Sequence, residues 1–81
     1  MNPNRLNWLC RRGMRELDIL LSGYLSTRYP GAAPDERERF HRLLETSDET
    51  LMRYFYQNLT PEEPALAALI ETIRHIAAPH P

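Results

Sequence analysis

Residues 60–77 read Thr60-Pro61-Glu62-Glu63-Pro64-Ala65-Leu66-Ala67-Ala68-Leu69-Ile70-Glu71-Thr72-Ile73-Arg74-His75-Ile76-Ala77. Leu66, Leu69, Ile70, Ile73, Ile76 and Ala77 recur at helical spacing and form the cleanest apolar stripe in the chain. Thr60 is placed to cap this helix, Pro61 suits its first turn, and Glu63 completes a capping box. Pro64 pushes the regular helix a residue or two further on. Pro79 and Pro81 end it in a frayed tail over about 78–81.

Four shorter helical stretches precede it. In the first, from about Asn4 to Arg12, Leu6, Leu9, Cys10 and Gly13 share one face. Residues 1–3 are expected to fray. Arg11 and Arg12 suit the last turn, where cations oppose the helix dipole, and Gly13 suits a left-handed helix end. The second runs from about Arg15 to Arg28, with Leu17, Leu20, Leu21, Tyr24 and Leu25 inward and Glu16 and Asp18 in its first turn. Tyr29 to Pro34 is a connecting loop. The third spans about Asp35 to Glu45, with Asp35 as its cap, Glu38 three residues on, and Phe40, Leu43 and Leu44 inward. Ser47 or Asp48 caps the fourth, which runs to about Asn58 with Leu51, Met52, Phe55 and Leu59 on one side. Helices joined by short loops pack as neighbours. The expected fold is therefore all-α, a compact bundle of about five short helices forming one domain over residues 1–81.

Composition agrees. There are 12 Leu and 4 Ile but no Val, and only five Thr, which disfavours strands. A chain of 81 residues buries only roughly 60% of its unfolded surface, too little for a nucleotide-binding fold with a second domain. All ten basic residues are Arg, and the net charge of -1 excludes a broadly basic nucleic-acid binder. The charge is uneven. Residues 1–28 carry five Arg against Glu16 and Asp18, a balance of +3, and the remainder is acidic. No apolar run approaches the roughly 20 residues that span a membrane, and the N-terminus lacks a signal-peptide core. The expectation is a cytoplasmic protein with no membrane insertion.

Catalytic candidates are poor. His41, His75 and His80 lack the spacing of a helical metal site and read as solvated surface residues. Cys10, the single cysteine, falls on an inner face and reads as a small core residue. Three isolated glycines make no phosphate-binding loop. No catalytic residue, metal or stably bound cofactor is expected. Tyr54, Phe55 and Tyr56 cannot all face one core, because successive residues turn by about 100°. Either Phe55 is core with tyrosines at its rim, or one aromatic anchors a partner.

The stretch Trp8 to Asp18 is distinctive. Arg11, Arg12 and Arg15 surround Gly13 and face Glu16 and Asp18, and Met14 stands at a cap position that Met cannot serve. Such rule-breaking junctions are often functional. On one continuous helix Arg12 and Glu16 would lie side by side. A break at Gly13 splays them into a polar corner suited to docking a partner through arginine forks. The same charges also suit a plain dipole-matched turn.

Arg12-Gly13-Met14-Arg15-Glu16, preceded by Trp8 and Arg11 and followed by Leu17-Asp18, resembles the signature of the SdhE family of succinate dehydrogenase assembly factors. Phe40, Leu43-Leu44-Glu45, Asp48 and Leu51 extend the resemblance over residues 5 to about 76. It implies a five-helix bundle that is not an enzyme. Such a protein binds the flavoprotein subunit of succinate dehydrogenase, and of the related fumarate reductase, and promotes covalent FAD attachment. The resemblance makes Arg11, Arg12, Gly13, Glu16 and Asp18 the partner-binding surface, with Trp8 and Met14 supporting it. In that reading Arg12 supplies charge-assisted contacts and Gly13 permits close approach. Two other readings compete: an antitoxin-like partner of a small inner-membrane protein, and an anionic-surface binder using the Arg-rich first helix.

Overall fold

Each helix starts where a cap or a proline permits it. In the computed structural model, which describes residues 2–77, five α-helices follow one another. They are α1 (Pro3–Leu9), α2 (Arg15–Thr27), α3 (Pro34–Leu44), α4 (Asp48–Tyr56) and α5 (Pro64–Ala77). There is no strand among the described residues. Asn2 caps α1 by accepting the Asn4 N–H at 2.8 Å, and Ser47 caps α4 by accepting from Thr50 at 3.2 Å.

Several boundaries differ from the sequence expectation, each for a local reason. Helix α1 begins at Pro3, inside the stretch expected to fray, because Asn2 satisfies its first turn. It ends at Leu9, so Arg11 and Arg12 lie beyond it rather than in its last turn. Asp35 is not a cap: Pro34 takes the first helical position, Ala33 stands before it, and Asp35 becomes a first-turn acid. Thr60 does not cap α5 either. Pro64 opens that helix, since a proline disfavours helical geometry in the residue before it. Asn58 adopts a left-handed φ of 58° just past α4, turning Leu59 off the helix face and leaving it 46% exposed. Tyr29–Gly31 forms a 3₁₀ turn within the expected loop. The expected tail at 78–81 lies outside the described residues.

The buried side chains form one cluster drawn from all five helices. Helix α2 is its axis, packing most extensively on α5 and also on α4 and the 3₁₀ turn. Leu17, Leu21 and Tyr24 are fully buried on its inner face, opposite Ile70 and Ile73 of α5 and Phe40 of α3. The radius of gyration, 11.8 Å, matches the roughly 12 Å expected of a compact chain this long. No helix among the described residues is long and apolar enough to cross a membrane.

A polar latch joins α2 to α3. The buried Tyr24 donates its hydroxyl to Glu36 Oε2 at 2.6 Å, and Arg28 grips the same carboxylate at 2.9 and 3.1 Å. The Arg28 and Tyr24 donors hold the Glu36 carboxyl below the ordinary carboxylate range. Nearby, Tyr29 shares a 2.6 Å hydrogen bond with His41 Nε2. His41 is therefore a packed, bonded residue, not the solvated histidine expected. Helix α4 settles its aromatics as core and rim: Phe55 is buried, Tyr54 half-buried and Tyr56 exposed.

Candidate functional site

The five residues from Cys10 to Met14 join α1 to α2 without regular structure. Two local features shape the joint. Gly13 sits at φ +78°, a conformation that side-chain-bearing residues rarely adopt. Met14 precedes α2 with no side-chain cap. From the first turn of α2, Asp18 reaches back over the joint, and its Oδ1 accepts the backbone N–H of Arg12 at 2.6 Å. Its own backbone N–H closes the first turn on the Met14 carbonyl at 2.9 Å.

Arg12 ties this joint to the far side of the chain. Its Nε donates to Asp48 Oδ1 at 2.8 Å. Nη1 donates to the carbonyls of Leu9 and Leu44 at 3.0 and 2.9 Å, and Nη2 to that of Thr46 at 2.6 Å. One guanidinium thus closes the end of α1, the end of α3 and the turn before α4. The carbonyls at helix ends have no intrahelical partner, and a planar five-donor fork can satisfy several at once. The Arg12 side chain is only 13% exposed.

The structure places these residues differently. Arg12 is mostly buried, its guanidinium engaged inside the corner, and Asp18 is half-buried with Oδ1 on the Arg12 N–H. Trp8 is 71% exposed, the most exposed large apolar side chain described. Arg11, Gly13 and Glu16 are exposed, with Arg15 beside them, and Met14 packs partly against the core. The ideal Cβ position on Gly13 meets no atom within 4 Å, so any side chain there would project outward. Trp8 and Arg11 face Glu45, Thr46, Ser47 and Asp48 across an open hollow of about 440 Å³. The tie between Asp48 and Arg12 escaped the sequence reading. Asp48 lies 36 residues from Arg12, and no local pattern links them.

Cys10 closes the inner side of the corner. It is fully buried, and burial pushes its thiol up to about 11, with Arg12 opposing the shift and Asp18 adding to it. A thiol so protonated is a packing group, in line with the sequence reading.

Fold and corner together define a class: a small all-helical protein whose distinctive chemistry is a polar surface organised round one internal arginine. Comparison with known proteins makes the class specific. Residues 4–77 match the family described as flavinator of succinate dehydrogenase. A FAD assembly factor SdhE from Methylococcus capsulatus is 47% identical over 70 residues, covering 86% of this chain and 84% of that protein. The FAD assembly factor SdhE of Shewanella oneidensis is 37% identical over 79 residues, covering 98% and 96%. That of Xylella fastidiosa is 44% identical over 75 residues, covering 93% and 77%. The chain belongs to this family of flavinators. No solved structure gives a significant match.

Proposed function

We propose that this protein is an assembly chaperone that binds the flavoprotein subunit of succinate dehydrogenase and promotes covalent attachment of FAD to it. The family match over residues 4–77 carries the role. The corner supplies the docking surface: Trp8, Arg11, Gly13 and Glu16 touch the partner, while Arg12, Asp18 and Met14 hold them in place. Exposed Trp and Arg are the side chains most enriched among residues that dominate binding energy. Gly13, with nothing above it, lets partner backbone approach closely.

In this reading the protein is not an enzyme and holds no cofactor of its own, and FAD is the group attached to the partner. Two of its reactive side chains are engaged elsewhere, Cys10 in the core and His41 with Tyr29. The flavoprotein performs the bond-forming chemistry. The chaperone holds the apo-subunit with flavin and acceptor side chain in reacting geometry, the kind of positioning that lowers a barrier without new chemistry. The related fumarate reductase flavoprotein is a second client, and the site of action is the cytoplasm.

Neither competing reading gains an observation. The relatives above carry the assembly-factor name, not an antitoxin one. The Arg-rich segment is a weaker basic patch than its composition implied, because Arg12 is internal and paired with Asp48. Calorimetric titration of purified apo flavoprotein with this protein tests the proposal. Saturable one-to-one binding that weakens in a Trp8→Ala variant is expected. No heat change and no co-elution at tens of micromolar would refute it.

A further inference from the structure

Asp48 is not among the four contact residues proposed above, although its side chain, 38% exposed, lines the same hollow as Trp8 and Arg11. Its carboxylate reaches that surface through one side chain. The segment Cys10 to Met14 has no helix or strand of its own; its local hydrogen bonds run from the Cys10 N–H to the Leu6 carbonyl, the Arg11 N–H to the Trp8 carbonyl, the Arg12 N–H to Asp18 and the Asp18 N–H to the Met14 carbonyl. The Arg12 guanidinium is what ties it to α3 and to the turn before α4. Of the four groups that guanidinium grips, three are backbone carbonyls and one is charged, Asp48 at 2.8 Å. The charged acceptor makes the strongest of these bonds. It engages Nε, and so fixes the rotation of the planar fork that the other contacts share.

We infer that Asp48 is a positioning residue for the docking corner: through Arg12 it fixes the geometry in which Trp8, Arg11 and Gly13 meet the partner. A surface ordered before binding loses less freedom on association than one ordered by it. Loosening the fork is expected to free the joint before the core, because none of its four acceptor groups is a core side chain and Leu17, Leu21 and Ile73 are fully buried away from solvent. The inference rests on the function proposed above for its binding arm, and on the geometry alone for its dynamics arm.

The test uses the full chain with Asp48→Asn, Arg12→Lys and the double variant. Asp48→Asn keeps the shape and an acceptor oxygen but removes the charge, and Arg12→Lys keeps the charge but removes the fork. Amide hydrogen exchange is read at Arg11, Arg12 and Asp18, whose N–H groups are hydrogen-bonded at the corner, and at Ile70 and Ile73 in the core. Asp48→Asn is expected to speed exchange about tenfold at the corner and to leave the core amides unchanged. Equal acceleration at both places, or none at the corner, would overturn the inference, since a merely structural role moves the whole molecule together. In the binding arm, affinity for the apo flavoprotein is expected to fall about tenfold with Asp48→Asn. The double variant should then bind no worse than Arg12→Lys alone. Additive losses would overturn the inference, because they would make Asp48 a direct contact. If the wild-type protein fails to bind, the proposed function falls, while the exchange arm still decides whether Asp48 positions the corner.

Discussion

At Gly13 a left-handed backbone coincides with open space above the ideal Cβ position. Gly13→Ala is therefore expected to cost about 1 kcal/mol through backbone strain alone. Gly13→Asn should cost less, since Asn visits this conformation more readily. Urea unfolding midpoints measure the difference. Both side chains project into the proposed docking face, so both variants should bind the flavoprotein less well, whatever their stability. Trp8 gives the complementary case. Exposed and remote from the core, Trp8→Ala should change stability by less than about 0.5 kcal/mol. Leu17→Ala, in the sealed core, should cost about 2–5 kcal/mol. The Lys-free composition also reads differently residue by residue. Arg12 clamps the ends of α1 and α3, Arg37 grips the Tyr29 and Pro30 carbonyls, and Arg74 grips those of Tyr54 and Phe55. At these positions a point-charge ammonium could not replace the fork.

Among the elements, the α2–α3 latch carries a pH signature. Glu36 is held below the ordinary carboxylate range by Arg28 first and Tyr24 second. A carboxyl with a lowered folded-state pKa contributes stability that is complete above its unfolded pKa and is lost as pH falls through the folded value. Acid should therefore weaken the wild-type protein progressively below the ordinary glutamate range. Glu36→Gln should flatten that limb of the stability profile while lowering the neutral-pH plateau. Unfolding midpoints from pH 7 down to 3 check both. Helix identity was legible at this scale because apolar spacing is local: the inward residues of α2, α3 and α5 were readable in advance. Helix ends were not, because competing signals met there. Thr60 and Pro64 each offered a start for α5, and the proline prevailed through backbone geometry. At α1 the Arg12 side chain folds back onto the Leu9 carbonyl while reaching α3, which periodicity does not encode.

Across the whole molecule, the same division explains what the sequence revealed of the candidate site. The corner was legible as an anomaly: three Arg, one Gly, two acids and an uncapped helix start lie close together in the chain. Which of its side chains face outward was not legible. Arg12 turned inward because its partners, the Leu44 and Thr46 carbonyls and Asp48, lie more than thirty residues away in the chain. The proposed function thus belongs to the assembled bundle, and in that reading its corner is the surface that meets the flavoprotein. Covalent flavin on that partner measures the claim most directly. An apo succinate dehydrogenase flavoprotein that is incompletely flavinylated alone is co-expressed with wild-type protein, with Gly13→Arg, or with neither. In-gel flavin fluorescence of the denatured subunit is then compared. Strong fluorescence with the wild type, and the low level of the empty control with Gly13→Arg, is the predicted result. Equal fluorescence in all three would contradict it.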